Sequence, residues 1–289
     1  MKIGFIGLGN MGKPMALNLM NSGHDISGFD TVAVDGQGLR ILESATDVAK
    51  DADVVITMLP NGAILRNVAE VVLPAMASDA VFLDCSTVDV DSARYVAKMA
   101  TEANVIPLDA PVSGGIGGAS AGTLTFMVGG SKSGFEKVKP LFDVMGQKAV
   151  LCGPSGNGQA AKICNNMILA ISMLGVAEAF TMGRNLGVDP QILFDITSTS
   201  SGQCWAINAY CPVPGPVPTS PANRDFQPGF TADMMLKDLR LSQDAARSSA
   251  TQTVMGGKAE ELFASFVDGG NGALDFSAII RMVEGAEKD

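Results

Sequence analysis

Histidine is almost absent from this sequence, and its scarcity narrows the chemistry available to the protein. The chain of 289 residues has one histidine, His24, so it can form neither an HExxH motif nor a multi-histidine metal site. A Ser-His-Asp triad would have to use His24, which lies between the first predicted helix and the second predicted strand. We therefore expect His24 to be a surface residue, and we predict no metal site.

Charged residues are also scarce, at 17% of the sequence, and the acidic ones outnumber the basic ones. The resulting net charge of −10 repels phosphate backbones and anionic lipid surfaces, which argues against nucleic acid or a membrane as a partner. Hydrophobic residues make up 47% of the sequence, enough for a sizeable core. This length fits one large domain or two of ordinary size.

The sequence lacks a disulfide pattern and a long uninterrupted apolar run. Its five cysteines are odd in number and form no CxxC pair, which is typical of reduced thiols in a cytoplasmic protein. The first nine residues, MKIGFIGLG, are interrupted by glycines and do not resemble a secretory signal. The longest apolar run, residues 167–177, is too short to span a membrane and predicts a buried helix.

The first half of the sequence alternates short β-rich runs with helical stretches. We predict strands over residues 2–6, 24–29, 54–59, 81–84, 105–108 and 124–128. The first five are separated by segments long enough for crossover helices. This order predicts an α/β fold with a Rossmann-type, doubly wound and mostly parallel sheet that has helices on both faces.

From residue 160 onward the pattern becomes helical. Residues 160–186 predict one long, mostly apolar helix that ends at Gly187 and Pro190, and further helices are predicted over 190–200, 229–248 and 252–267. We therefore predict an NAD-binding domain over 1–160 and an all-helical substrate and oligomerisation domain over 161–289. The proline-rich stretch 211–229 predicts a long loop, and such loops usually have a function.

The glycines after the first strand predict a dinucleotide site. The strand is followed by Gly7-Leu8-Gly9-Asn10-Met11-Gly12 and then by a helical segment. Gly7 permits a tight turn, Gly9 the approach of a pyrophosphate, and Gly12 close packing of helix and strand. The N–H groups at the helix start favour the pyrophosphate. Asp30 ends the second strand, where its carboxylate can accept a hydrogen bond from a ribose 2′-hydroxyl, which predicts NAD rather than NADP.

A second glycine-rich stretch, residues 153–158, has the spacing of a P-loop. Gln159 and Ala160 stand where a P-loop has lysine and serine or threonine, so we predict that this loop starts the long helix instead. Ligands of open α/β sheets bind beyond the carboxyl ends of the strands. Leu59-Pro60 lies at one such end, and residues 85–87, called here the Thr87 segment, lie at another. Either these two segments flank the nicotinamide or they are ordinary turns.

Four segments resemble the signature blocks of the β-hydroxyacid dehydrogenase family: GFIGLGNMGKPMALNL, DAPVSGGIGGASAGTLTFMVGG, GQAAKICNN and MMLKDL. The segment SSGQCWAINAYCPVPG is most similar to the branch of the family that acts on 3-hydroxyisobutyrate. The resemblance implies a Rossmann-type domain joined to a helical one, in a homodimer or homotetramer. It also implies NAD-dependent oxidation of 3-hydroxyisobutyrate to methylmalonate semialdehyde, in valine catabolism.

The resemblance also implies roles for individual residues. Lys162 of the GQAAK block corresponds to the catalytic lysine, and Asn166 to a residue that contacts the substrate. The block Ser113-Gly114-Gly115 corresponds to the site of the substrate carboxylate. Leu59, Pro60, Thr87 and Lys237 correspond to cofactor contacts. Trp205 is predicted to line the substrate pocket, with Tyr210 beside it, although both aromatics would also suit a core.

The chemistry of hydride transfer supports a lysine in this role. A hydroxyl that loses hydride from its carbon must also lose its proton to a base, and His24 is poorly placed for that. The ordinary lysine pKa of about 10.4 is too high for a base at neutral pH, so burial or a nearby positive charge must lower it. We place Lys162 in the first turn of an apolar helix, near the domain junction, with Asn166 one turn further on the same face.

Alternatives to 3-hydroxyisobutyrate remain open. Relatives that act on serine or tartronate often carry Gly-Asn-Trp where this chain has Gln203-Cys204-Trp205, a difference that favours 3-hydroxyisobutyrate. The alternative substrates are L-serine and a tartronic, succinic or glyoxylic aldehyde. A non-catalytic nucleotide-binding module is the remaining alternative, but relatives of that kind tend to lose the catalytic lysine. Asp238, beside Lys237, either orients a lysine or lies on the surface, and we do not include it in the catalytic set.

Overall fold

A computed structural model describes residues 1–285 of the chain. The chain divides into two compact units, Met1–Lys162 and Ile163–Asp289. The first unit is built on a sheet and the second is helical.

The first unit contains one nine-stranded sheet within the described residues. Its strands are β1 Lys2–Ile6, β2 Asp25–Phe29, β3 Arg40–Ile41, β4 Val54–Thr57, β5 Val81–Asp84, β6 Ile106–Asp109, β7 Val112–Ser113, β8 Leu124–Gly130 and β9 Gly146–Gly153. They are ordered β3-β2-β1-β4-β5-β6-β8-β7, and β9 also pairs with β8. The strands from β3 to β6 are parallel to their neighbours, whereas β8 runs antiparallel to β6 and β7. The predicted mostly parallel sheet is therefore confirmed.

All six predicted strands are present, with shifts of a residue or two at their ends, but three strands were not predicted. Two of them, β3 and β7, are only two residues long, too short to show a periodic pattern. The third, β9, has the sequence GQKAVLCG and is mostly exposed or half-buried. The sequence gives little sign of this strand, because glycines stand at both ends and apolar and polar residues alternate only weakly. An edge strand needs no continuous apolar face.

Helices cover both faces of the sheet, as predicted. They are α1 Gly12–Asn21, α2 Ala45–Ala49, α3 Gly62–Val72, α4 Val90–Glu102, α5 Gly115–Ala121 and α6 Lys132–Met145. One core contains Met15 of α1 and Phe142 of α6, and a separate core contains Leu65 of α3 and Val96 of α4. Two distinct cores are what a sheet covered on both faces requires.

Helix α7, Asn157–Asn185, starts in the first unit and continues into the second. The second unit adds α8 Pro190–Thr197, α9 Trp205–Asn208, α10 Ala232–Ser248, α11 Val254–Phe266 and α12 Ile280–Val283. Helices α8, α10 and α11 match the predicted segments 190–200, 229–248 and 252–267 with slightly tighter bounds, and α7 begins three residues before the predicted start at residue 160. The short helices α9 and α12 were not predicted. The predicted loop over 211–229 is irregular apart from one 3-10 turn, Pro221–Arg224.

By length and composition, α7 could cross a membrane, although the core helix of a folded domain meets the same criteria. The apolar run that we expected to be buried is part of this longer helix. One face of the helix, with Ala170, Met173, Ala177 and Phe180, packs in the core of the second unit. Ile168 and Met182 are exposed, so the prediction of a buried helix holds for one face only.

Candidate active site

The turn after β1 has the geometry that its glycines predict. Gly7 has a φ of +93°, and a Cβ there would lie 2.3 Å from the carbonyl oxygen of Met58. A Cβ on Gly12 would lie 1.9 Å from the carbonyl oxygen of Gly7. A Cβ on Gly9 would meet no atom within 4 Å. The fold therefore requires glycine at Gly7 and Gly12, whereas Gly9 borders open space in which a ligand can approach the backbone.

The start of α1 lacks the side-chain cap that four other helices of this unit have. The N-cap side chains Ser44, Asn61, Asp89 and Ser131 accept backbone hydrogen bonds at α2, α3, α4 and α6. The N-cap of α1 is Met11, whose side chain makes no capping hydrogen bond. Free N–H groups and the positive end of the helix dipole then face the turn, an arrangement suited to a pyrophosphate.

Asp30 lies beside this turn. The backbone N–H of Leu8 donates to its Oδ2 at 2.7 Å, and that of Val32 donates to its Oδ1 at 3.0 Å. These bonds hold the carboxylate at the end of β2 and link it to the glycine turn. The remaining lone pairs of the two oxygens can accept hydrogen bonds from ribose hydroxyls. The glycine turn, the uncapped start of α1 and the Asp30 carboxylate together form a site that fits NAD.

A buried carboxylate links the next two loops. Asp84, at the end of β5, accepts hydrogen bonds from the hydroxyls of Thr57 at 2.8 Å and Ser86 at 2.5 Å. The Ser86 hydroxyl in turn accepts a bond from the backbone N–H of Leu59 at 2.8 Å. The Leu59-Pro60 turn and the segment that leads to Thr87 are therefore fixed to each other, at the sheet edge where the sequence placed them.

The surroundings of Asp84 disfavour its ionised form. Burial raises its pKa to about 7, although hydrogen bonds from Ser86 and Thr57 act in the opposite direction, and the nearby carboxylate of Asp109 raises it further. Among the described residues, Oδ2 of Asp84 has no hydrogen-bond partner. A carboxyl group in such surroundings holds a proton near neutral pH.

The predicted substrate loop follows β6. Ser113 is half-buried and ends β7, and Gly114 and Gly115 have φ values of +135° and +62°. Residues with a side chain rarely adopt such angles. Two glycines in succession therefore give the backbone a bend that larger residues seldom make.

Lys162 lies on α7 and is only 7% exposed. The helix begins at Asn157 rather than at residue 160, so Lys162 is in its second turn and not, as predicted, in its first. The influence of a helix end falls off within one turn, so the predicted effect of the helix start on Lys162 is lost, and its burial is what the structure shows. The first unit thus contains Lys162 together with the predicted cofactor turn, Asp30, Leu59, Pro60, Thr87 and the loop Ser113-Gly114-Gly115.

The second unit contains the other predicted residues. The side-chain amide of the buried Asn166 donates to Asp238 Oδ2 at 2.5 Å, and Lys237 Nζ lies 3.4 Å from Asp238 Oδ1. Asp238 is itself buried. It pairs with Lys237, which was one of the two alternatives that the sequence left open for Asp238, and it also orients Asn166, which the sequence did not indicate. Its place on the buried face of α10, with Met235 and Ser242 at helical spacing, was the available signal.

Trp205 and Tyr210 differ in their surroundings. Their rings stack with centroids 4.7 Å apart, and Tyr210 also stacks on Phe276 at 5.4 Å. The Tyr210 hydroxyl donates to Asp275 at 2.9 Å, and burial together with that carboxylate raises the pKa of Tyr210. Tyr210 is therefore part of the core, whereas Trp205 is 53% exposed and presents a free face.

His24 lies near the surface, as predicted. Its Nδ1 lies 3.4 Å from the amino terminus. Partial burial and that positive charge lower the pKa of His24. Within residues 1–285, no group of three histidine, cysteine, aspartate or glutamate residues could hold a metal ion.

Two family profiles match the chain. The NAD binding domain of 6-phosphogluconate dehydrogenase matches residues 2–153, and the family described as NAD-binding of NADP-dependent 3-hydroxyisobutyrate dehydrogenase matches residues 156–283. Together the two profiles extend over nearly the whole chain.

Similar proteins align over nearly their full lengths. A probable 3-hydroxyisobutyrate dehydrogenase of Mycobacterium tuberculosis is 46% identical over 96% of both chains. An NAD-dependent L-serine dehydrogenase of Pseudomonas aeruginosa is 44% identical over 98% of both. A solved structure of the Mycobacterium tuberculosis 3-hydroxyisobutyrate dehydrogenase with L-serine has a TM-score of 0.94 at 45% identity, covering 97% of this chain and 98% of that one. This chain therefore belongs to the 3-hydroxyisobutyrate dehydrogenase family and is an NAD-dependent oxidoreductase.

Proposed function

We propose that this protein oxidises 3-hydroxyisobutyrate to methylmalonate semialdehyde with NAD, and that Lys162 is its general base. The observation that carries the proposal is the buried amine of Lys162 in the same unit as the glycine turn and Asp30. A buried lysine without a function is uncommon, because desolvating an ammonium group is costly. The relatives named as 3-hydroxyisobutyrate dehydrogenases support this substrate.

The proposed mechanism needs one proton transfer and one hydride transfer. Lys162 Nζ, uncharged, accepts the proton of the substrate hydroxyl, and it returns a proton in the reverse reaction. The bound NAD supplies a ring carbon that accepts hydride. Ser113 and the N–H groups of Gly114 and Gly115 bind the substrate carboxylate, and Asn166 donates from its amide to the substrate. Asp238 holds that amide in one orientation.

We propose Leu59, Pro60, Thr87 and Lys237 as further cofactor contacts and the exposed face of Trp205 as a substrate contact. Lys237 would add a positive charge to the binding of the cofactor. The proposal of NAD rather than NADP rests on Asp30, whose carboxylate would repel a 2′-phosphate. It differs from the description of the family matched by residues 156–283, which names an NADP-dependent enzyme.

L-Serine is the second candidate substrate, because one 44% identical relative is named an L-serine dehydrogenase and one similar structure contains L-serine. L-Serine and 3-hydroxyisobutyrate share a carboxylate and a primary alcohol. The carbon next to the carboxylate carries an amino group in L-serine and a methyl group in 3-hydroxyisobutyrate. The residues that surround this group therefore decide which substrate is preferred.

We further propose that residues 1–160 form the NAD-binding domain and that 161–289 form the substrate and oligomerisation domain of a cytoplasmic homodimer or homotetramer, active in valine catabolism. The exposed apolar side chains of the helical unit, Leu186 at 75% and Val254 at 78% among them, support contact with a second copy. Sedimentation equilibrium tests this assignment, and a monomer at micromolar concentration would contradict it.

The test of the proposed function combines a substrate panel with substitution of Lys162. We expect 3-hydroxyisobutyrate with NAD to have the highest kcat/KM among hydroxy acids tested with NAD and NADP, followed by the absorbance of the reduced nicotinamide. Lys162→Arg replaces the amine by a guanidinium that stays charged and cannot act as a base, so kcat should fall at least about 100-fold while NAD still binds. Near-normal turnover by this variant would reject the role of Lys162.

A further inference from the structure

The second glycine-rich loop, residues 153–158, has the glycine spacing of a P-loop. Together with the first turn of α7 it binds the side-chain carboxylate of Asp109. The backbone N–H of Gly156 donates to Asp109 Oδ1 at 2.7 Å, and that of Gln159 donates to Asp109 Oδ2 at 3.0 Å. The carboxylate at the end of β6 therefore occupies the position at the start of α7 that a phosphate occupies in a P-loop. A negative charge there also stabilises the helix dipole.

The space for this carboxylate is made by two glycines. A Cβ on Gly129 would lie 2.4 Å from Asp109 Oδ1, and one on Gly158 would lie 2.8 Å from Asp109 Oδ2. Asp109 is buried, and burial raises its pKa, while hydrogen bonds from the loop act in the opposite direction. A buried carboxylate enclosed in this way has no freedom to turn, so it fixes the first turn of α7 to the end of β6.

Gln159, in the same helical turn, binds the backbone on both sides of Thr87. Its Nε2 donates to the carbonyl oxygen of Ser86 at 2.7 Å, and its Oε1 accepts from the N–H of Val88 at 3.1 Å. Gln159 is fully buried. Both polar ends of its amide are used, so the Thr87 segment cannot slide along α7 without breaking a buried hydrogen bond.

We propose that Asp109 and Gln159 are positioning residues that set the place of Lys162 relative to the Thr87 segment and to the loop Ser113–Gly115. Asp109 precedes that loop by four residues, and Gln159 precedes Lys162 by three, so two side chains connect three parts of the reaction site. The inference rests on the proposed function of Lys162 and extends it. Neither residue touches substrate in this assignment; each acts through the helical turn that it holds.

The experiment compares two variants with a matched control. Gln159→Met keeps the length of the side chain but removes both hydrogen bonds, and Asp109→Asn keeps one acceptor and places an amide donor against a backbone N–H. The control is Gln243→Met, because Gln243 is also a buried glutamine, held by Thr253 at 2.8 Å and Ser242 at 3.2 Å. All three lose buried hydrogen bonds, so their melting temperatures should fall by similar amounts.

Kinetics separates positioning from stability. We expect both Gln159→Met and Asp109→Asn to lower kcat by at least about 10-fold at saturating NAD and substrate, since displacements of an ångström cost rate. Gln159→Met, which releases the Thr87 segment directly, should also raise the KM for NAD, and it should do so more than Asp109→Asn does. Gln243→Met should retain the kcat of the unsubstituted protein.

A double-mutant cycle and hydrogen exchange test the connection directly. If both residues act through one helical turn, the kcat loss of the double variant is smaller than the product of the two single losses. Amide exchange over residues 86–88 should accelerate in Asp109→Asn. Equal kcat in the two variants and in Gln243→Met would overturn the inference, as would fully multiplicative losses.

The failure of the proposed function has a different signature. If Lys162→Arg retains turnover, the assignment of the base is wrong whatever Asp109 and Gln159 do. If Lys162→Arg loses turnover while Gln159→Met and Asp109→Asn keep it, the proposed function stands and only the positioning role is rejected.

Discussion

Replacing Asp84 by asparagine should change how the stability of the protein depends on pH. In the folded protein the pKa of Asp84 is about 7, against an ordinary value of 3.8, and its first cause is burial. Below about pH 4 the carboxyl is protonated in both states and has no effect. As pH rises towards 7 the unfolded chain releases this proton while the folded protein keeps it, so the free energy of unfolding falls. Above 7 the loss is constant.

The size of the effect follows from the same pKa. One pKa unit corresponds to about 1.4 kcal/mol, so Asp84 destabilises the folded state by roughly 4 kcal/mol at pH 8 relative to pH 4. Asp84→Asn cannot ionise, and its amide oxygen can still accept from Thr57 and Ser86, as Oδ1 does now. The difference in unfolding free energy, unsubstituted protein minus Asp84→Asn, should therefore fall by several kcal/mol across this range.

Urea unfolding at a series of pH values measures this difference. The single tryptophan, Trp205, lies in the second unit, so circular dichroism or hydrogen exchange in β4 and β5 should be followed instead of fluorescence. Asp109 and His24 also have shifted pKa values, raised and lowered respectively. Both are present in the two proteins, so to a first approximation their contributions cancel in the difference.

Thr57→Val provides a matched comparison. It removes a hydrogen bond that lowers the pKa of Asp84, so the loss of stability should start at the same pH, continue to higher pH and become larger. Asp84→Asn should abolish the loss. A difference curve for Asp84→Asn that is flat, or that rises with pH, would refute the reasoning that burial keeps this carboxyl protonated.

Three further predictions concern other residues of the site. Asp30→Ser should lower kcat/KM with NAD at least about 10-fold and reduce the preference for NAD over NADP, because a charged acceptor for the ribose is lost. Steady-state kinetics with both cofactors measures this preference, and an unchanged preference contradicts the prediction. Asp238→Asn should lower kcat/KM for the hydroxy acid about 10-fold or more, since the Asn166 amide loses a charged acceptor; an unchanged kcat/KM for the hydroxy acid would argue against it. Gly12→Ala should lower the stability of the folded protein by at least about 1–3 kcal/mol and weaken NAD binding, because its Cβ would lie 1.9 Å from the Gly7 carbonyl oxygen. Calorimetry measures the stability and nucleotide titration the binding. An unaltered melting temperature would contradict the prediction and show that the turn relaxes.

Local features of the sequence were sufficient for the outline of the fold and for the cofactor turn. Gly7, Gly12 and Asp30 are read from short-range patterns, because the strand, the turn and the helix start are consecutive in the chain. The long helix and the sheet strands show the apolar runs and periodicities of their class. The errors fall on elements with little local signal, such as β3, β7 and the edge strand β9.

The supporting side chains of the site depended on the tertiary structure. Gln159 bonds to Ser86, 73 residues away, and Asp109 to Gly156, 47 residues away. Asp238 lies 72 residues from its partner Asn166. No pattern within a window of sequence encodes such pairs, and a buried aspartate looks like any surface aspartate until its neighbours are known. The sequence by itself determined which residues could do the chemistry; folding decided which polar groups are removed from water and paired, because burial and long-range hydrogen bonds arise only when distant segments pack together.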